Sequence, residues 1–291
     1  MRSFEDQFEV RRMCKLLDMA PSSYYHHRSQ ALQTVESLSE DDQALEQRLI
    51  ALFRHHSGNY GARRLVKALQ REGFAVGRQR VRTLMGRNDL RAKQPKRFVP
   101  RTTQSDPRKR RSPNLLLEMA LEQLIPNQVW MADITYLPAA GGRHYYLSVW
   151  MDGCSRRIVG WAVADHMEAS LVEASLQAGL RQRKPPVGLI LHSDGGGQYT
   201  AEKVRRLIAQ HGHRQSMTRR DNHYDNAHME SFFGRMKTEM LENGVFEHLE
   251  EARIECQSYI ETYYNRARLH SGIGYQTPME YEDSFIYGAK A

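Results

Sequence analysis

Four side chains in the second half of the chain have the types and spacing for metal-assisted phosphoryl chemistry: Asp133, Asp194, Glu230 and Lys237. Asp133 interrupts Trp130-Met131-Ala132-Asp133-Ile134-Thr135-Tyr136, and a lone carboxylate in an apolar, β-prone run is costly to bury unless it is paired or bound to a cation. Asp194 follows the short apolar run Val187 to Leu191, within His192-Ser193-Asp194-Gly195-Gly196-Gly197-Gln198, just past a strand's carboxyl end, where open α/β sheets bind ligands. The three glycines let the backbone turn tightly and a substrate come close. Glu230 falls in the first turn or so of a helix that begins near Asn226, and Lys237, seven residues on, projects from nearly the same helix face. Three carboxylates from two strands and a helix suit magnesium, which takes hard oxygen ligands and keeps waters. Two such ions would balance charge on the attacking and leaving oxygens of an in-line phosphoryl displacement, with Lys237 gripping the phosphate beside them. Taken singly, each acid has a structural explanation: a sheet-end hydrogen-bonder, a turn residue, a partner for a helix dipole.

These residues need a sheet and a helix to bring them together. Val129 to Leu137, His144 to Met151 and Arg157 to Ala164 are β-rich, the last two joined as a hairpin across Asp152-Gly153-Cys154-Ser155. A helix from about Glu168 to Arg183 is stopped by Pro185-Pro186, and Val187 to Leu191 has the pattern of a strand buried on both faces. A helix near Ala201 to Gln210, a strand near His213 to Met217 and the long helix carrying Glu230 follow. The order β-β-β-α-β-α-β-α predicts an α/β fold. Asp152, in an Asp-Gly setting, reads as a turn residue and not as a fourth acid. Asn226 suits a helix cap shared with Asp225, with a DNA contact as the alternative. His192, His223 and His228 crowd the motifs without zinc spacing and read as neighbours or DNA contacts. Tyr263, Tyr264, Arg266, Arg268 and His270 have the chemistry to stack on or grip DNA, though an aromatic pair on a helix is more often core.

Upstream the texture is helical. Phe8 to about Arg28 reads helix, break, helix, a small helix-turn-helix-like segment placed at residues 1–40. Residues 41–91 hold a second helical group: Leu45, Leu49 and Leu52 on one stripe, Gly61 to Glu72 closed by Gly73, and Gly77 to about Arg87. In the last helix Val81, Leu84 and Met85 face inward, leaving Arg78, Arg80, Arg82 and Arg87 to solvent or a ligand, an arrangement that suits a three-helix DNA reader. A linker follows at 92–125. Between Arg91 and Arg111 it carries nine basic residues, among them Lys109 and Arg110, with one acid and three prolines. Such a tether can track phosphates. The catalytic core is expected at 126–245 and a helical extension at 246–291.

Lys and Arg total 42 against 34 Asp and Glu, a net charge of +8 that favours polyanionic partners. Cys14, Cys154 and Cys256 lie far apart, which signals neither a zinc cluster nor a disulfide framework and fits a reducing, cytoplasmic setting. The charged N-terminus is no signal peptide, and no run of 18 apolar residues occurs.

The residues that carry these readings also carry a resemblance. Pro126 to Tyr136, Ser155 to Trp161, His192 to Thr200, Tyr224 to Phe233 and Tyr264 to His270 resemble the D-D-E catalytic domain of retroviral integrases and transposases, and specifically the second-frame (OrfB) protein of the IS-three family of insertion sequences. His56 to Arg64 resembles that family's upstream helical module, so the likeness spans nearly the whole chain. It implies a ribonuclease-H-like mixed five-stranded sheet with flanking helices, preceded by an all-helical helix-turn-helix region. It implies Asp133, Asp194 and Glu230 as ligands of Mg2+, two ions with Mn2+ as a substitute, and strand cleavage and strand transfer at the element's ends. Double-stranded DNA, both transposon ends and target, is the expected partner of a homo-oligomer working in the nucleoid, with Lys237, Asn226, Arg78, Arg82, Lys109, Arg110 and Arg111 as DNA contacts. Family members commonly work as a frameshift fusion with an upstream first-frame protein that supplies a leucine zipper, and this chain carries no heptad run of its own. After the second acid the family more often reads Asp-Arg-Gly-Ser-Gln, whereas Gly195 and Gly197 stand here, so the contact of that arginine is expected to be missing. The alternatives are a silent, domesticated DNA-binding regulator and a nuclease that only hydrolyses.

Overall fold

A computed structural model describes residues 8–25, 40–94, 111–219, 227–241 and 244–288. The first helix, α1 (Val10–Leu16), buries Met13 and Cys14 but leaves Leu16 exposed. The next three, α2 (Glu40–His55), α3 (Ala62–Arg71) and α4 (Arg78–Arg87), form one bundle, because Leu45, Leu49, Leu52, Leu65, Leu69, Val81 and Leu84 recur at helical spacing and meet in a single apolar cluster. Gly61 and Gly77 stand at the N-caps of α3 and α4. The basic face expected on α4 is only half available. Arg80 pairs with Asp42 and Arg87 approaches Glu46 at 4.0 Å, acids one turn apart on α2, whereas Arg78 and Arg82 are exposed.

Side-chain alternation along the first strand sets up the rest. In β1 (Val129–Pro138), Val129, Met131 and Leu137 enter one apolar cluster and Trp130 and Ala132 another, on opposite faces, as a period of two requires. β2 (His144–Asp152) and β3 (Ile158–Ala164) add antiparallel neighbours, and β4 (Ile190–Ser193) and β5 (Arg214–Met217) add parallel ones, giving a mixed five-stranded sheet of order β3-β2-β1-β4-β5. This is the ribonuclease-H-like arrangement. One face is covered by α5 (Ala169–Arg183) and α6 (Glu202–Gln210), through Val172, Leu176, Leu180, Val204 and Leu207. The other is covered by α7 (Ala227–Met240) and α8 (Leu249–Gln257).

The strand expected over Val187 to Leu191 is displaced. Val187 is exposed, Gly188 turns at φ +95°, and pairing begins only at Ile190, so the strand ends at Ser193, directly before Asp194. Within the helical extension expected at 246–291, α8 is followed by a π-helical segment, Ser258–Tyr264, and, after Tyr264, by α9 (Pro278–Gly288). Asp152 is the turn residue expected. Its buried carboxylate accepts hydrogen bonds from the backbone N–H of Asn127, Cys154 and Ser155 and from the Ser155 hydroxyl, at 2.7 to 3.1 Å. All three cysteines are free and buried, and no described helix is long and apolar enough to cross a membrane.

The helical bundle rests on the core through the C-terminal segment. Leu269 inserts into the bundle's cluster, Tyr60 Oη donates to the Ala267 carbonyl at 3.1 Å and accepts from Leu269 N at 2.7 Å, and Arg64 donates to the Leu269 carbonyl at 3.0 Å. Tyr264, Leu269 and Arg268 are buried, so these tail residues are core.

Helix α5 lies so close to β3 that a side chain does not fit between them. A Cβ at Gly160 would stand 2.5 Å from the Ser175 carbonyl oxygen and 2.9 Å from Gly179 Cα, all backbone that cannot swing away. Gly160→Ala is therefore expected to lose about 1–3 kcal/mol of stability as an overpacked contact, read as a lower urea midpoint for the core.

Candidate active site

Strand pairing brings the first two acids together. In the parallel β1–β4 pair Trp130 lies opposite Leu191 and Met131 opposite His192, so Asp133 and Asp194 each stand two residues beyond the last pair, Asp194 just past the end of β4. Along β1, Asp133 shares the side of Met131, the face that α7 covers. That helix packs by Met229, Phe232, Phe233 and Met236, an i, i+3, i+4, i+7 stripe. Glu230 and Lys237 lie about a quarter-turn from the stripe on one side of the helix, Glu230 exposed in the first turn and Lys237 half-buried. Lys237 Nζ lies 4.0 Å from the centroid of the Tyr136 ring, on the strand that carries Asp133.

Asp194, Glu230 and Lys237 all lie close enough to Asp133 to act on its charge. Burial, the neighbouring Asp194 and then Glu230 push the Asp133 carboxyl up to about 7, against the pull of the Ile134 N–H and Lys237. Burial also raises the Asp194 carboxyl, opposed by a hydrogen bond from Gly196 N to Oδ1 at 3.0 Å and by Arg111. Lys237 is lowered by burial, with Asp133 working the other way. Burial first and the Asp194 charge second thus disfavour the Asp133 carboxylate, and both groups offer hard oxygen donors. Among the described residues no three acid, imidazole or thiol groups close around one point.

Comparison with known proteins agrees with this geometry. Two models described as integrase core domains match residues 123–223 and 211–278, and one described as an HTH-like domain matches 40–98. The transposase for insertion sequence element IS904 of Lactococcus lactis subsp. lactis (strain IL1403) is 37% identical over 256 residues, covering 88% of this chain and 98% of the relative. Transposase InsF for insertion sequence IS3A of Escherichia coli (strain K12) is 34% identical over 277 residues, 95% of each. The chain belongs to the IS3 family of insertion-sequence transposases. A 31 kDa protein of insertion element IS600 from Shigella sonnei is also similar, at 37% over 277 residues, 94% of this chain and 98% of that one.

In this IS3-family chain the HTH-like and integrase core domains imply DNA binding, and the structure sorts the basic residues expected to serve it. Lys237 joins the acids, Arg78 and Arg82 stand exposed on α4, and Arg111 reaches Asp194. Asn226, Lys109 and Arg110 lie outside the described residues, as do Asp225 and His223. His192 is inside the core, its Nδ1 2.8 Å from the Ser216 hydroxyl, and so is a neighbour and no surface contact. Arg268, considered for DNA, instead forms a buried two-pronged pair with Glu239 of α7 at 2.6 and 2.7 Å, joined by the Tyr259 hydroxyl at 2.9 Å. Glu239 was not singled out by sequence. Its one signal is an acid on the inward side of an otherwise apolar helix.

Because the fold raises the Asp133 carboxyl above its ordinary value near 3.8, this group favours the folded state most at low pH, and its contribution is lost as pH rises from about 4 to about 7. In metal-free buffer the melting temperature should fall across that window, and Asp133→Asn should flatten the fall. Above pH 7 the variant should melt higher than the unmutated protein by at least about 3 °C, the shift expected for roughly 1 kcal/mol in a domain of this size. Scanning calorimetry with chelator present measures it.

Proposed function

We propose that this transposase cleaves and rejoins DNA at the ends of its insertion sequence by metal-dependent phosphoryl transfer at Asp133, Asp194 and Glu230. The observation that supports the reading is the closeness of Asp194, Glu230 and Lys237 to the buried Asp133, whose charge all three act on, where the parallel β1–β4 pair ends. The three acids would hold Mg2+, with Mn2+ as a substitute. Two ions bound there would supply positive charge to the attacking and leaving oxygens of an in-line displacement of a phosphodiester. Lys237 holds a cation beside Asp133 for a non-bridging phosphate oxygen, and the stripe of α7 fixes its position. Gly196 N donates to Asp194 Oδ1 and so holds the carboxylate in place. Burial on the α7 side excludes water from the acids' apolar flank.

The helical bundle supplies the grip on the element's ends through Arg78 and Arg82 of α4, with Lys109, Arg110, Arg111 and Asn226 as further DNA contacts. The working form is a homo-oligomer on double-stranded DNA in the cytoplasm, at the nucleoid, fused with or bound to a first-frame partner.

Asp133→Asn, Asp194→Asn and Glu230→Gln should each drop cleavage and joining of a duplex copied from the DNA flanking the gene to below about a hundredth of the unmutated rate. Mg2+ should raise the melting temperature of the unmutated protein and not of the two aspartate variants. Retention of full activity by all three variants sinks the assignment.

Arg78→Ala and Arg82→Ala should each weaken binding of the same duplex and make log Kd less steep in log salt by about 1, the loss of one phosphate contact. Unchanged salt slopes in a fluorescence anisotropy titration would remove α4 from the interface.

A further inference from the structure

The backbone at Gly195 is filled by a side chain from elsewhere in the chain. A Cβ placed there would lie 2.3 Å from Arg111 Cζ, 2.4 Å from Nε and 2.5 Å from one terminal nitrogen, so the guanidinium occupies the space where any other residue's side chain would begin. Arg111 is the first described residue after the basic tether, and the chain that follows it is fastened to the sheet edge. Ser112 Oγ donates to Gln215 Oε1 at 2.8 Å, Leu115 N donates to Ser216 Oγ at 2.9 Å, Met217 N donates to the Pro113 carbonyl at 3.3 Å, and Leu116 is buried under the sheet. The strap therefore runs along β5 and delivers the guanidinium against the residue that follows the second acid. Gly196, by contrast, leaves no such room: a Cβ there would meet the carboxylate of Asp194 itself, 2.9 Å from Oδ1.

Resting on the phosphoryl-transfer reading, we infer that Gly195 is a seat for Arg111, and that Arg111 is a phosphate-binding residue of the active site, gripping the DNA phosphate adjacent to the one that reacts. The chemistry suits it. A guanidinium presents a planar fork to a phosphate diester, and this one is held half-buried at the mouth of an acid-rich site from which DNA phosphates would otherwise be repelled. Its position at the end of the tether means that DNA tracked along the linker arrives at the acids with one contact already in place. The missing side chain at 195 is thus a requirement, since only glycine leaves the space.

The test uses the full-length protein with Arg111→Ala, Arg111→Lys, Gly195→Ala and the Arg111→Ala, Gly195→Ala double variant. The atoms that a Cβ at 195 would displace are the far end of a flexible side chain, so Gly195→Ala should fold normally while expelling the guanidinium, and melting temperature checks this. Joining of a duplex end bearing a free 3′-hydroxyl is expected to slow by about 10- to 100-fold in Arg111→Ala and to the same degree in Gly195→Ala. The double variant is expected to be no slower than either single one, because both remove one contact. Arg111→Lys should recover part of the rate, a point charge without the fork. With chelator and no divalent metal, anisotropy titrations of a labelled duplex of arbitrary sequence should show salt slopes shallower by about 1 in Arg111→Ala and Gly195→Ala. Full joining rate and unchanged slope in Gly195→Ala, or losses that multiply in the double variant, would overturn the seat. If the unmutated protein neither cleaves nor joins DNA while the metal-free slopes still fall, the phosphate contact stands and the phosphoryl-transfer reading fails. If the unmutated protein is active and neither variant changes rate or slope, the reading stands and the role of Arg111 fails.

Discussion

Two carboxylates that repel one another are held side by side because β1 and β4 are hydrogen-bonded neighbours, and the remainder of the core keeps them so. The register that places Met131 opposite His192 brings the chain to Asp133 and to Asp194, two residues further on, at the same end of the pair. Two apolar layers lock that register. A slip of one residue would turn Val129 and Met131 out of one cluster and Trp130 and Ala132 out of the other. The price is visible in the Asp133 carboxyl, lifted to about 7.

The second acid pair of consequence lies behind the site. Glu239 is on the helix that carries Glu230 and Lys237, and it is buried with Arg268, approached by Arg64 of α3 at 3.9 Å, while its carbonyl accepts from Lys93 at 3.3 Å. Removing one partner of such a pair leaves an uncompensated charge in the interior and typically destabilises by about 3–5 kcal/mol. The same residues therefore orient α7 and fasten the helical bundle to it. The bundle that would hold an element's end and the helix that faces the acids are mechanically one piece, which is why the tail from Tyr264 to His270 is packed into the core.

Much of this was legible in the chain because local patterns are strong where burial is one-sided. Alternation along Val129 to Leu137, the helical stripes of α2 and α4, and the Asp-Gly turn at Asp152 are short-range signals, and the elements stand where the pattern puts them. Patterns failed where a single residue type overrode a run. Val187 looks like the start of a strand, but the turn at Gly188 sends it into solvent. Basic residues on α4 look equivalent, but Arg80 and Arg87 are taken by acids of α2. The acids themselves were legible through their isolation among apolar residues and glycines, and their spacing gave the resemblance that the relatives bear out.

By itself, then, the sequence determined the kinds of element that carry the candidate acids and the family to which the chain belongs, since each depends on residues within a few positions of one another. Only the tertiary structure decided which strands are neighbours, that Arg268 is sealed against Glu239, and that the space at Gly195 holds the guanidinium of Arg111, a residue more than eighty positions upstream. These are contacts between segments whose separation leaves no periodicity to read. The departure at Gly195 looked in the sequence like the loss of an arginine, and the fold supplies one there from the end of the tether, because a strap bonded along β5 has nowhere else to put it.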